Sequence, residues 1–234
     1  MKQNKYIKKR NDEDEDDNEI EIELEESGIA NSVDSNNILL LNGEINSENA
    51  NKTCQILLEF QYKNERDGVF RPIHLLINSQ GGSIIDAWQI CDIMDIIHYP
   101  IITIGLGEIA SAALLIFING EKGFRILSHR ASLMSHQYSW GISGKMDDLI
   151  SASREFNNIY KRMEDHFYEK TKIKRDIIRQ KLLSGLDYWM TPKEAVKYNI
   201  ADHVFNFKKK KPLFFIESKK EWKKIKKEFL KKEK

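Results

Sequence analysis

The chain carries a serine, a histidine and an aspartate, in that order, at positions suited to nucleophilic chemistry. Ser111 lies between the apolar runs 101–104 and 114–118. This placement predicts a strand-to-helix turn, where the helix N-terminus favours developing negative charge on an exposed hydroxyl. His136 ends a later strand-like segment, and Asp187 precedes a short apolar one. A hydroxyl nucleophile needs a base and the base needs an orienting acid, so the three residues together predict a serine hydrolase.

Each of these residues has an ordinary structural interpretation when it is taken alone. A serine at a helix start is usually a cap, a histidine near a strand end is mostly structural, and an aspartate is common in turns. The mechanism also needs backbone N–H groups aimed at the oxyanion, and Gly81-Gly82 allows a close approach, although a plain turn is the alternative. We find no zinc-type His/Glu spacing and no phosphate-binding glycine loop, so we expect neither a metal nor an organic cofactor.

The charge distribution divides the chain into a body and two terminal segments. The 234 residues suffice for one domain with a full core, and the net formal charge is only +1. Residues 12–26 are nevertheless almost all acidic, and residues 208–234 are dominated by lysine. We therefore expect a charged, disordered arm over 1–36, a catalytic domain over 37–207 and a lysine-rich tail with helical pattern over 208–234.

Cysteine usage and hydropathy predict a cytoplasmic protein. Cys54 and Cys91 are the only cysteines, and two thiols without metal-binding spacing are expected to be reduced. No apolar run is long enough to span a membrane, and the first residues lack the hydrophobic region of a signal peptide.

The order of apolar segments predicts an α/β core with parallel strands. Strands are expected at 38–41, 73–77 and 101–105, and a helix over 47–62 separates the first two. A second helix follows Gly82, and its expected core residues are Ile85, Trp88, Ile93 and Ile96. This alternation of strand and helix is typical of parallel sheets.

The second half of the sequence is more helical. Residues 145–171 predict a long polar helix that projects from the body and serves assembly, and 174–183 predict a shorter one. Thr191, Pro192 and Glu194 form a helix start with a capping box. A last strand is expected at Val204-Phe205.

Four segments, taken together, resemble the proteolytic subunit of the Clp protease. Their order and spacing match that family, and they lie at 77–83, 107–111, 133–137 and 187–202. The resemblance covers residues 38–206. It implies an α/β fold, the Clp-protease/crotonase-like spiral of strand-strand-helix units, with a protruding long helix at 145–171.

The resemblance also assigns roles to individual residues. It implies that Ser111 is the nucleophile, His136 the base and Asp187 the acid that orients the base. The backbone N–H groups of Gly82 and Ala112 would form the oxyanion hole. No metal ligand is implied.

The partners that the resemblance implies follow from the family's enclosed architecture. Members form heptameric rings, which pair into a closed chamber and receive peptides or unfolded proteins from an ATPase unfoldase. An ATP-dependent serine endopeptidase is therefore expected. The sequence departs from the family where the ATPase docks, since His74 and Leu76 replace two tyrosines, and where the two rings join, since Gly185-Leu186 replaces a charged pair. Smaller departures near the catalytic segments are Gln80, Ala113 and Tyr138.

Three other functions stay open at this point. They are a phage-type capsid maturation protease on the same fold, a crotonase-type acyl-CoA hydratase and a non-catalytic ring subunit. The hydratase does not need the serine, histidine and aspartate, and non-catalytic subunits usually lose them. The basic tail could bind nucleic acid, a membrane surface or the acidic arm of a neighbouring subunit, because Trp222, Ile225 and Phe229 fall on one face of a lysine-rich helix.

Overall fold

The computed structural model of the chain describes residues 31–33, 37–141, 143–205 and 218–231. The acidic run expected to be disordered lies outside these ranges, as does the first part of the lysine-rich tail. The strands are β1 (Asn31–Val33), β2 (Ile38–Ile45), β3 (Ile73–Gly82), β4 (Ile101–Ala110), β5 (Arg125–Ser128), β6 (Ser132–Ser135), β7 (Tyr188–Met190) and β8 (His203–Phe205). The helices are α1 (Ser47–Arg66), α2 (Ile84–Ile96), α3 (Ala112–Ile118), α4 (Met146–Thr171), α5 (Arg175–Ile177), α6 (Pro192–Lys197) and α7 (Lys219–Lys231), and a π-helical turn, Ile178–Leu182, follows α5.

The strands form one sheet in the order β1-β2-β3-β4-β5-β8. The pairs from β2 to β8 are parallel, and β1 adds to the β2 edge in the antiparallel direction. The first half of β4 pairs with β5, and its last residues pair with β6 instead. Strand β6 runs parallel to β4 and antiparallel to β7. The expected α/β fold with parallel strands is confirmed. The β4-β6-β7 extension matters most for function, because it carries the three predicted site residues.

The main core lies between one face of the sheet and the helices α1, α2 and α3. Successive side chains of a strand point to opposite faces, and Leu75 and Ile77 of β3 enter this core while Leu76 does not. Every residue of α3 is buried, so the helix that follows Ser111 is held on all sides. A nucleophile at its start therefore sits on a rigid base.

The opposite face of the sheet is covered by α7. Trp222 is only 5% exposed and packs on Phe124, with ring centroids 4.4 Å apart, in a cluster with Ile102, Ile104 and Ile126. The apolar stripe expected in the tail thus contacts the body of the same chain through Trp222. The side chain of Phe229, expected in that stripe, lies outside the described ones.

Several boundaries differ from those expected. β3 and β4 continue through their polar and glycine residues, as far as Gly82 and Ala110, because register shifts let those residues pair with neighbouring strands. Helix α1 is capped by Asn46, whose side chain accepts a hydrogen bond from the Asn49 N–H, and it extends to Arg66. The helix expected over 174–183 is a short α-helix followed by the π-helical turn.

The expected core face of α2 was wrong in part. Ile85 and Ile96 are exposed, whereas Trp88 and Ile93 pack against the core. The helix is apolar around most of its circumference, so periodicity did not identify the buried face. The buried residues are Ile84, Ala87, Ile90, Cys91 and Met94.

Other expectations agree with the structure. Cys54 and Cys91 are free, buried thiols. Thr191 and Glu194 form the predicted capping box, with Pro192 in the first turn of α6. Within the described part of the chain, no helix has the length and apolar character needed to cross a membrane.

Candidate active site

Ser111 lies in a strained turn between β4 and α3. Its φ of 53° and ψ of −122° are uncommon for a residue with a side chain, and its hydroxyl makes no capping hydrogen bond to the helix. The backbone N–H donates instead to the Met134 carbonyl at 2.9 Å, which ties the turn to β6. Although we expected Ser111 to open the helix, α3 begins at Ala112. The Ser111 hydroxyl is therefore not used to cap the helix.

That hydroxyl meets His136 at the end of β6. Ser111 Oγ lies 2.7 Å from His136 Nε2, within the range of a strong hydrogen bond. The sheet makes this approach possible, because Ala110 of β4 pairs with Met134 of β6, so Ser111 comes one residue after that pair and His136 comes two residues after it. The imidazole is 25% exposed, which leaves room for a substrate beside it.

Asp187 reaches the other side of the same imidazole. Its Oδ1 lies 3.3 Å from His136 Nδ1. The register again accounts for the contact: Ser135 pairs with Tyr188 across the antiparallel β6–β7 ladder, so His136 and Asp187 flank that pair on the same side. The carboxylate is 56% exposed, so water reaches the acid from outside.

The other aspartate of this region, Asp202, has a different environment. Its side chain is 4% exposed and accepts hydrogen bonds from the Arg125 Nε at 2.9 Å and Nη2 at 2.6 Å. The same carboxylate also accepts from the backbone N–H groups of Gly123 and Arg125. It therefore anchors the start of β5 to the segment before β8 and is occupied by structural contacts.

Of the two glycines at the end of β3, Gly81 passes directly beside the serine and Gly82 lies against the backbone of Ile45. A Cβ placed on Gly81 would lie 2.7 Å from the Ala110 carbonyl oxygen, 2.8 Å from Ser111 Cβ and 3.0 Å from the Ala112 nitrogen. A Cβ on Gly82 would lie 2.2 Å from the Ile45 carbonyl oxygen, and both residues have positive φ. No side chain fits at either position. The backbone of β3 thus comes close to the Ser111–Ala112 peptide, where an oxyanion would form.

Asn78 supports the site, although the sequence pattern predicted no role for it. Its side-chain oxygen accepts a hydrogen bond from the Glu108 N–H at 3.0 Å, and its amide group donates to Asn42 Oδ1 at 2.6 Å. It lies so close to Gly107 that a Cβ there would be 2.5 Å from Asn78 Oδ1. Asn78 therefore joins β2, β3 and β4 just before the strand ends that carry the site. A polar residue directly after an apolar strand was the available signal.

Two further hydrogen bonds that were not predicted fix the residues on either side of His136. The Ser135 hydroxyl donates to the Leu182 carbonyl at 2.6 Å, and the Gln137 N–H donates to the Ser184 carbonyl at 3.0 Å. The residues on both sides of His136 are thus fixed to the end of the π-helical turn. These partners are 47 residues apart in sequence, so no local pattern could reveal them.

Ion pairs connect the π-helical turn and the preceding α5 to α4. Buried Glu164 of α4 accepts hydrogen bonds from Arg179 and Arg175, with nitrogen–oxygen distances of 2.9 and 3.0 Å. The hydrogen bond from Arg179 is the main cause that lowers the pKa of the Glu164 carboxyl, and Arg175 adds to it. The carboxylate stays charged, and the support of His136 extends to the long helix.

Within the described residues, no group of three or more His, Cys, Asp or Glu side chains is arranged to hold a metal ion. The site consists of a hydroxyl, an imidazole and a carboxylate in sequence at hydrogen-bonding or ion-pair distances, next to a glycine backbone. This arrangement on an α/β fold defines the class of serine hydrolases.

The comparisons with known proteins identify the family within that class. The Clp protease family model matches residues 23–208, and the chain belongs to the Clp protease family. One relative, the ATP-dependent Clp protease proteolytic subunit 1 of Leifsonia xyli subsp. xyli, is 31% identical over 167 residues, which are 71% of this chain and 82% of the relative. A second, of the same name from Rhodopirellula baltica, is 32% identical over 170 residues, 72% of each chain.

The family confirms the fold and the enzyme class expected from the sequence. The chain is a serine endopeptidase of the Clp type, and any dependence on ATP enters through a partner ATPase. The comparisons do not favour a capsid maturation protease, an acyl-CoA hydratase or a non-catalytic subunit. The roles of the individual residues go beyond what family membership shows.

Proposed function

We propose that Ser111, His136 and Asp187 form the catalytic triad of this endopeptidase. The observation that carries the proposal is the 2.7 Å separation of Ser111 Oγ and His136 Nε2. With its proton on Nδ1, the imidazole donates to Asp187 and accepts the serine proton at Nε2. Asp187 holds this tautomer and stabilises the imidazolium that forms during attack.

The proposed reaction is acyl transfer in two stages. Ser111 Oγ attacks the peptide carbonyl carbon while its proton moves to His136, and the carbonyl oxygen becomes an oxyanion. We propose that the N–H groups of Gly82 and Ala112 stabilise this charge, which the closeness of the glycine backbone to the Ser111–Ala112 peptide supports. His136 then protonates the leaving amine, and a water molecule, deprotonated by the same imidazole, releases the acyl group.

We propose that the enzyme works as a heptameric ring, that two such rings stack, and that a Clp ATPase supplies unfolded substrates. The names of the two relatives, which are proteolytic subunits of an ATP-dependent protease, support the last point. Exposed apolar side chains at the start of α4, Met146, Leu149 and Ile150, support a contact between copies. Enclosure would protect folded proteins from an unselective site.

The proposed organisation keeps the division expected from sequence. Residues 37–207 form the peptidase domain, and 1–36 and 208–234 are accessory segments of opposite charge. We propose a cytoplasmic location, which the free thiols of Cys54 and Cys91 support.

The proposed function is tested by comparing Ser111→Ala with wild type in the hydrolysis of a fluorogenic peptide. Loss of the nucleophile should lower kcat by at least about 10³-fold, while particle mass stays unchanged. Ser139→Ala, which changes an exposed serine of the following loop, is the matched control and should keep normal activity. Near-normal activity of Ser111→Ala would exclude the proposed mechanism.

A further inference from the structure

Helix α7 has two different faces, and the contacts among the described residues involve one of them. The apolar face rests on the sheet through buried Trp222 and half-buried Ile225, and Lys226 pairs with Glu121 beside them. The other face is basic: α7 contains seven lysines and two glutamates. Five of its lysines are exposed, namely Lys219, Lys220, Lys223, Lys224 and Lys227. We call these five residues the lysine face.

The acidic run 12–26 has the complementary charge. It contains eleven aspartates and glutamates and no lysine or arginine. The net charge of the whole chain is +1 because such blocks cancel one another. Single exposed ion pairs contribute little, but many pairs between two tethered segments act together, since tethering gives an effective concentration in the millimolar range.

The sheet register fixes the distance between β1, which follows the acidic run in sequence, and the strands that α7 covers. Asn31 of β1 pairs with Leu40, and that row of the sheet continues through Leu76, Ile104 and Ile126. The last three residues belong to the cluster that Trp222 completes. Four strand spacings of about 4.8 Å separate β1 from β5, about 19 Å in all. An extended chain spans about 17 Å from Asn31 back to Glu26 and about 63 Å back to Asp12, so the part of the acidic run beyond Glu26 is long enough to reach α7.

We propose that the acidic run 12–26 docks on the lysine face of α7 in the same chain. The apolar face of α7 is already buried against the sheet, so insertion of this helix into a membrane would first require that it leave its place. The lysine face needs no such rearrangement to accept an acidic segment. Docking covers the lysines and lowers the affinity of the chain for other polyanions. The proposal is independent of the catalytic mechanism.

The first test titrates a fluorescein-labelled peptide of residues 11–27 into two full-length proteins. One is wild type, and in the other the acidic residues of 12–26 are changed to Asn or Gln. The neutralised protein should bind the peptide at least tenfold more tightly than wild type, whose lysine face is occupied. Binding should weaken at least tenfold between 0.1 and 1 M NaCl, because the screening length falls from about 10 Å to about 3 Å. Equal binding to both proteins, or binding insensitive to salt, would overturn the proposal.

The second test locates the contact on α7. In the neutralised protein, changing the five residues of the lysine face to glutamine should abolish peptide binding. Trp222 and Lys226 are unchanged in this variant, so the contacts of α7 with the sheet and with Glu121 are kept. The matched control changes five exposed lysines elsewhere to glutamine and should bind normally; they are Lys122, Lys161, Lys174, Lys193 and Lys197. Retained binding without the lysine face would refute the assignment. Equal binding of RNA or anionic vesicles to wild type and to the neutralised protein would also refute the proposal, because the lysine face of wild type would then be open.

Discussion

The same substitution at two aspartates should separate catalysis from stability. Asp187→Asn removes the charge 3.3 Å from His136 Nδ1, and Asp202→Asn removes a charge that is paired with buried Arg125. Both changes keep the size of the side chain. Any difference between the two variants therefore reports the environment of each carboxylate.

For Asp187→Asn we expect a large loss of turnover and little loss of stability. An amide cannot stabilise the imidazolium and favours the wrong His136 tautomer, which in a triad lowers kcat by up to about 10⁴-fold. Because Asp187 is 56% exposed, water partly replaces its charge, and we expect a loss of roughly 10³-fold. The same exposure means that the folded state loses little free energy.

For Asp202→Asn we expect the reverse. The change leaves the Arg125 guanidinium, 2% exposed, without its counter-charge, which costs about 3–5 kcal/mol of folding free energy. The urea midpoint should fall by about 1–2 M. Turnover per folded molecule should stay within a few-fold of wild type.

The assays are peptide hydrolysis under saturating substrate and urea unfolding followed by circular dichroism, on the two variants and wild type. If Asp202→Asn abolished turnover in a stable protein while Asp187→Asn was silent, the assignment of the acid would be refuted.

Three further predictions concern the glycine backbone, assembly and pH. Gly81→Ala should remove measurable peptidase activity, because the new methyl group would lie 2.8 Å from Ser111 Cβ; wild-type kcat would contradict this. Ile150→Asp should reduce particle mass in analytical ultracentrifugation, whereas Asn157→Asp, at another exposed site on α4, should not; equal masses would argue against a contact through the start of α4. Burial lowers the pKa of His74 and of His166 from 6.5 to about 4, so both stay neutral when folded. Each neutral imidazole contributes about 3 kcal/mol to the free energy of unfolding above pH 6.5, and this contribution is lost as the pH falls toward 4. His74→Leu should therefore reduce the dependence of stability on pH, measured by urea unfolding at a series of pH values. An unchanged pH dependence would contradict this.

The order of strands and helices was predictable because it depends on the local pattern of apolar and helix-capping residues. Alternating apolar runs placed β2, β3 and β4, and the capping box of α6 identified the start of that helix. The buried face of α2 was not predictable, since apolar residues surround the helix and only packing selects Ile84 over Ile85. The full lengths of β3 and β4 depend on register shifts with neighbouring strands, which no single segment encodes.

The residues that lie together at the candidate site were predictable from the sequence, and the contacts that support them were not. Ser111, His136 and Asp187 follow or precede strands, and the parallel and antiparallel pairing of those strands brings them together. The hydrogen bond from Ser135 to the π-helical turn depends on tertiary contacts between distant segments. The contact of Trp222 with Phe124 was likewise not predictable. The apolar stripe of the tail was visible in the sequence, but the surface on which it packs was not.

Labelling with a fluorophosphonate probe tests the central claim most directly. The probe forms a covalent bond with a serine that an adjacent base activates, and peptide mapping by mass spectrometry identifies that serine. We predict one label per chain, on Ser111, with loss of peptide hydrolysis in proportion to labelling, and no label in Ser111→Ala or after heat unfolding. A label on another serine, or continued hydrolysis by fully labelled protein, would contradict the account.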